Sequence, residues 1–193
     1  MLKSFVGIAL IGIFAQCNNP SHEVADKDSA LQIATTNIHD DNTTVTNGHD
    51  SFDYKTYTGA WFAVNYPSDF TVKPSMKSLT STEGFDSAIF TSPDSTVSFY
   101  VFSPQWSGKP SEINIRSNEI MTDSITEGLE EGITVNEWTI EAKDKSYKRS
   151  YREVIRQDNI NWIVGLQYTS DAAYRKYRQQ YLNFKNSLMQ YAD

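Results

Sequence analysis

Residues 133–169 read ITVNEWTIEAKDKSYKRSYREVIRQDNINWIVGLQYT. Three runs, Ile133 to Ala142, Ser146 to Arg156 and Ile160 to Thr169, are rich in Ile, Val, Thr, Tyr and Trp. Such residues suit a pleated, half-buried surface. The runs are separated by Lys143-Asp144-Lys145 and Gln157-Asp158-Asn159, breaks with room only for a tight turn, so the stretch predicts a three-strand antiparallel meander. In the last run Ile160, Trp162, Val164, Leu166 and Tyr168 share one face by the strand period of two, with Gly165 inside the strand.

Downstream, Tyr174, Tyr177, Tyr181, Phe184, Leu188 and Tyr191 recur at alternating steps of three and four. That stripe predicts a terminal helix from about Ala172 to Tyr191, packed through one aromatic side. Upstream, Tyr54 to Thr58, Trp61 to Tyr66, Phe70 to Val72, Ala88 to Phe90 and Thr96 to Phe102 read as strands. The last of these is apolar at nearly every position, as expected of a central strand covered on both faces. Between the two strand groups, Ser111 with Glu112 and Asn114 suggests a helix start, and Ile113, Ile120, Met121, Ile125 and Leu129 recur near the helical period, predicting a helix that ends at Gly132. The expected class is α+β, an antiparallel sheet covered by helices.

The segment Trp61-Phe62-Ala63-Val64-Asn65-Tyr66-Pro67-Ser68-Asp69-Phe70 resembles the opening strand and corner of the PsbP/Mog1-like superfamily. Phe90-Thr91-Ser92-Pro93-Asp94 with its following strand is similar to that family as well, as is the Trp162–Tyr168 strand leading into an aromatic helix that closes with Phe184, Asn186, Ser187 and Leu188. The resemblance implies an α/β/α sandwich over most of residues 57–190 and a binding or accessory role exercised through protein contacts.

Residues 1–16, MLKSFVGIALIGIFAQ, carry Lys3 and then an apolar run from Phe5 to Ala15 that is too short to span a bilayer, the pattern of a secretory signal. Cys17, the single cysteine, stands where cleavage is expected, and this resembles a bacterial lipoprotein signal, with Ala15 fitting the lipobox and Phe14 and Gln16 departing from it. The resemblance implies lipidation of Cys17. One acyl chain binds a membrane only marginally, so a multiply acylated cysteine supplies a stable anchor. Asn18 is similar to the residue that follows the cysteine in lipoproteins passed on to an outer membrane or cell surface. Residues 17–53 then carry seven acids, few apolar residues and all three histidines (His22, His39 and His49), and are expected to form a disordered, flexible tether. The expected organisation is a signal peptide at 1–16, the lipidated cysteine and acidic linker at 17–53, and one globular domain at 54–193.

The chain of 193 residues has a formal net charge of −7, against a nucleic-acid partner. From Tyr54 onward it has neither His nor Cys, which removes Ser-His-Asp and Cys-His catalysis and the imidazole and thiolate metal sites. No catalytic residue, metal site or cofactor is assigned. Glu127, Glu130 and Glu131 cluster near the expected helix end, where adjacent carboxylates do not face each other across a cleft. Two features carry the binding hypotheses. Lys148, Arg152 and Arg156 share one strand face and suit an acidic partner, an anionic glycan or lipid headgroups. Trp106 lies in a loop marked by Pro104, Gly108 and Pro110, where it serves either as an anchor for a partner or sugar or as a cap on the core. The sequence thus reads as a membrane-anchored, non-enzymatic envelope protein that contacts a protein partner. A carboxylate hydrolase acting on envelope glycan or ester, and a glycan or small-molecule binding module, are the alternatives.

Overall fold

A computed structural model describes residues 52–106, 108–157 and 159–191; the signal-like segment, Cys17 and the tether up to residue 51 lie outside the described residues. The strands are β1 Tyr54–Thr58, β2 Phe62–Pro67, β3 Thr71–Lys77, β4 Phe85–Thr91, β5 Val97–Phe102, β6 Glu119–Glu130, β7 Ile133–Ala142, β8 Lys148–Arg156, β9 Asn159–Tyr168 and β10 Met189–Gln190; one helix, α1, spans Asp171–Asn186. Seven strands form an antiparallel sheet in the order β3-β4-β5-β9-β8-β7-β6, and β1-β2-β10 form a second, smaller sheet. The large sheet is therefore two local meanders, β3–β5 and β6–β9, joined where Val97 pairs with Tyr168 and Phe102 with Ile163.

The two faces of the large sheet are covered differently. On the helix face, Val97, Phe99, Val101, Val164 and Leu166 pack with Phe62, Phe70, Phe90, Tyr177 and Phe184, all buried. Phe99 and Phe184 lie 5.2 Å apart between ring centroids, and Phe70 meets Tyr177 edge-on at 5.6 Å, so the aromatic stripe of α1 is the upper half of this core. On the opposite face Tyr100, Phe102, Ile140, Tyr151 and Ile163 form a second cluster with Ile113.

Three sequence expectations are corrected. First, residues 119–130 form strand β6, not part of a helix over 111–132. Glu131 and Gly132 make a two-residue hairpin connection, Gly132 takes φ +76°, and the ladder to β7 outweighs a helical spacing that rests on few residues. The second layer of an α/β/α sandwich is consequently missing: α1 is the single helix among the described residues, and the loop face is covered by the irregular segment 103–118.

Second, the terminal helix ends at Asn186, not Tyr191. Its start is capped by Ser170, whose Oγ accepts the Ala173 N–H at 3.2 Å. At its end the Ser187 hydroxyl donates to Phe184 O at 2.9 Å and accepts the Asn65 N–H at 2.8 Å, turning the chain so that Met189 and Gln190 pair with Ala63 and Phe62. Third, Ile160 does not share a face with Trp162. The β8–β9 register skips Asn161, with Val154 opposite Trp162 and Ile155 opposite Ile160, and this bulge turns Ile160 toward the loop-face cluster.

Arg149 holds the covering segment in place. It lies on the loop face of β8, is 1% exposed, and points away from the side shared by Lys148, Arg152 and Arg156. Its guanidinium donates to Glu119 Oε1 at 2.8 Å and Oε2 at 2.5 Å, to the carbonyls of Glu112 at 2.9 Å and Asn114 at 2.7 Å, and to Tyr151 Oη at 2.9 Å. Two of these bonds hold carbonyls of a coil segment that has no ladder of its own, and two more fix Glu119 where that coil enters β6.

Candidate functional site

A comparatively enclosed concavity lies where the β3–β4 connection meets the segment after β5. Ser78, just beyond β3, accepts hydrogen bonds from Trp61 Nε1 at 3.1 Å and from the N–H groups of Thr80 and Ser81, each at 3.2 Å. That tight turn leaves Leu79 100% exposed. On the other side the chain leaves β5 at Phe102, the Ser103 N–H donates to Asp86 O at 2.8 Å, and Pro104 directs it outward to Trp106, which is 68% exposed. Between them lies a cleft of about 300 Å³ lined by Met76, Leu79, Phe102, Pro104, Trp106 and Asp86, with Lys77, Thr80, Gln105 and Gly108 at its margins.

Asp86 gives this cleft its chemistry. It is 7% exposed, and its Oδ1 has no hydrogen-bond partner. Burial pushes its carboxyl above the usual carboxylate range, with the Ser78 hydroxyl pulling the other way. Lys77 is exposed and forms no ion pair with Asp86. A buried carboxylate without a countercharge costs stability, and the Ser78 hydroxyl offsets that only in part, leaving Oδ1 unpartnered.

Trp106 therefore stands out in the open and does not cap the core. The remaining tryptophans, Trp61, Trp138 and Trp162, are half-buried on or beside strands. Neither Asp86 nor Leu79 was singled out from the sequence. The available signal was an acid inside the run Phe85-Asp86-Ser87-Ala88-Ile89-Phe90, in a strand that begins earlier than its apolar residues suggest.

The basic strand is differently placed. Lys148, Arg152 and Arg156 do lie on one face of β8, but their cross-strand partners on β7 are Glu141, Glu137 and Ile133. Lys148 Nζ is 3.5 Å from Glu141 Oε1, and Arg152 is ion-paired and hydrogen-bonded to Glu137. Arg156 is exposed near Lys185 of α1, in a groove with Leu129, Ile133 and Trp162. Two of the three cations are thus offset by neighbouring acids, and Arg156 alone is left without an acid opposite it.

Asp123 and Glu137 line one groove of about 200 Å³ beside Tyr181 and Lys185. Arg152 occupies a Glu137 oxygen that a reacting group would need, which leaves that groove without two free carboxylates facing a common substrate. Glu127, Glu130 and Glu131 are exposed along the β6–β7 hairpin. Among the described residues no group of three His, Cys, Asp or Glu side chains gathers to hold a metal, and no helix is long and apolar enough to cross a membrane.

No protein-family model matches the chain, and no curated protein matches it. Among solved structures it is similar to the solution structure of cyanobacterial PsbP (CyanoP) from Synechocystis sp. PCC 6803, with 9% sequence identity and a TM-score of 0.44 over 75% of this chain and 96% of that one.

Proposed function

We propose that this chain is a lipid-anchored accessory protein of the bacterial cell envelope, tethered through Cys17, whose domain acts by binding a protein partner and not by catalysis. The observation that carries the reading is the exposed pair Trp106 and Leu79 flanking an apolar cleft. Large apolar side chains held open beside a concavity are the usual anchors of a protein contact, where burying one aromatic contributes more than a whole polar rim. The acid-rich composition of residues 17–53 suits a tether between a lipidated Cys17 and the domain.

The test is capture of the full-length protein from its native envelope after mild crosslinking, read by mass spectrometry. Wild type is compared with Trp106→Ala and with Lys148→Glu/Arg152→Glu/Arg156→Glu. A stoichiometric partner lost in Trp106→Ala and retained in the triple variant supports contact at the cleft. Loss in the triple variant alone moves the contact to the basic strand, and no partner from any arm overturns the proposal. The anchor is tested separately: Cys17→Ala should abolish fatty-acid labelling and release the protein from membranes, and labelling that survives the change rules the anchor out.

A further inference from the structure

We propose that the Asp86–Trp106 cleft is a receptor for an organic cation, a primary alkylammonium or guanidinium group carried on an apolar stem. This deepens the partner-binding reading and rests on the cleft being the contact surface.

Three observations converge on that chemistry. The single buried charge among the cleft's lining is the Asp86 carboxylate, and its Oδ1 lacks a partner. An entering N–H donor of positive charge supplies both the missing hydrogen bond and the missing countercharge. Trp106 lines the same cleft, and an indole is the aromatic surface most favourable to a cation. Met76, Phe102 and Pro104 provide apolar walls that suit the methylene stem of such a group, as lysine and arginine stems suit apolar surface elsewhere.

Other ligand classes fit less well. An anion meets Asp86 as a like charge. A sugar presents a ring of hydroxyls, each needing a polar partner, whereas these walls are mostly apolar. A metal ion needs several oxygen or nitrogen ligands, and no cluster of them forms among the described residues. Lys77 is the internal competitor: it lies on the lining, it is exposed, and its ammonium is not paired with Asp86.

The experiment uses the full-length protein in detergent, with the Trp106 indole N–H resonance assigned through Trp106→Phe. The probes are n-butylammonium, N-acetyl-lysine methylamide and N-acetyl-arginine methylamide, with n-pentanol and valerate as neutral and anionic counterparts. The cationic probes should shift the Trp106 resonance saturably, at least tenfold more tightly than pentanol or valerate. Asp86→Asn, which keeps the side-chain shape, should weaken them about tenfold or more, and Lys77→Ala should leave binding intact or tighten it. A tighter fit for the amides assigns the cation to a partner's side chain, and a tighter fit for butylammonium assigns it to a free amine. Equal binding of pentanol, indifference to Asp86→Asn with its spectrum otherwise unchanged, or binding that appears only in Lys77→Ala overturns the proposal. Partner capture that is lost in Trp106→Ala but kept in Asp86→Asn would leave the contact surface standing and remove the cation alone. Cation binding with capture unaffected by Trp106→Ala would do the reverse.

Discussion

Arg149 and Glu119 meet in two parallel hydrogen bonds, Nε to Oε1 at 2.8 Å and Nη2 to Oε2 at 2.5 Å, with both side chains out of contact with water. Glu119 opens β6, and Arg149 also holds the carbonyls of Glu112 and Asn114. One cation therefore fixes the origin of the outermost strand and the coil that covers the loop-face core. Tyr147 Oη and the Arg116 N–H complete the carboxylate's shell at 2.7 Å each.

Removing one partner leaves the other charged and buried. Arg149→Met is expected to cost about 3–5 kcal/mol in urea unfolding. Adding Glu119→Leu to it should restore part of that loss, because the orphaned charge goes too. Recovery should stay incomplete, since the Glu112 and Asn114 carbonyls still lack their donor. A double variant no more stable than Arg149→Met would show that the cost lies in those carbonyls and not in the ion pair.

The pH dependence has two opposing contributions. Burial pushes the Glu119 carboxyl up, but the bonds from Arg149, Arg116 and Tyr147 outweigh it and hold the group at about 2. A lowered value means stability that is present above the ordinary range near 4.5 and is lost as the pH falls toward 2. Asp94 acts in the same direction, held down first by Lys176. Asp86 has the opposite sign: raised by burial, its penalty operates above its own titration and is relieved on acidification. Glu119→Gln should flatten the acid limb of the stability profile, whereas Asp86→Asn should raise stability at neutral pH. Denaturant midpoints measured between pH 2 and 7 check both, and an Asp86→Asn protein less stable than wild type at neutral pH would give that carboxylate a structural use.

Gly165 faces Tyr151 across the β8–β9 ladder, and a Cβ there would lie 2.4 Å from a ring carbon of Tyr151 and 3.3 Å from Ser150 O. Gly165→Ala must push the ring off its contacts with Tyr100 and Trp138, at an expected cost of about 1–3 kcal/mol. Thermal unfolding reads it, and an unchanged midpoint would mean that the ring has room to shift.

Asp94 ties the β4–β5 turn to α1. It accepts from Ser92 Oγ at 2.7 Å, Thr96 N at 3.1 Å, Lys176 Nζ at 2.7 Å and Tyr177 Oη at 3.0 Å. Asp94→Ala should cost about 1–2 kcal/mol through the turn and the Tyr177 hydroxyl, while Lys176→Met should change little because its ammonium is exposed. A larger loss from the lysine variant would reverse that ranking.

The meander from Ile133 to Tyr168 was readable because each strand is long, β-branched and closed by a polar turn, so local and tertiary preferences agree. β6 was not, because Ile120, Met121, Ile125 and Leu129 fit a helical spacing as well as a strand with two bulges, and pairing to β7 decided between them. The Asn161 bulge leaves no mark that alternation can detect. Strand parity sets Arg149 on the opposite face from Lys148 and Arg152, but nothing local in the sequence says that this face is sealed over it. Asp86 is a different kind of omission: whether an acid in a strand is solvated or buried depends on segments packed against it from elsewhere in the chain.

The junction of β5 with β9 gives the molecule a kinetic anatomy. Each meander is made of neighbouring hairpins and needs little chain closure to form, whereas the Val97–Tyr168 pairing must bring together two preassembled halves. Zipping of that one seam is then the step expected to limit folding, and amide exchange in β5 and β9 should report the opening of the whole sheet while β6, on the rim, should exchange on its own clock.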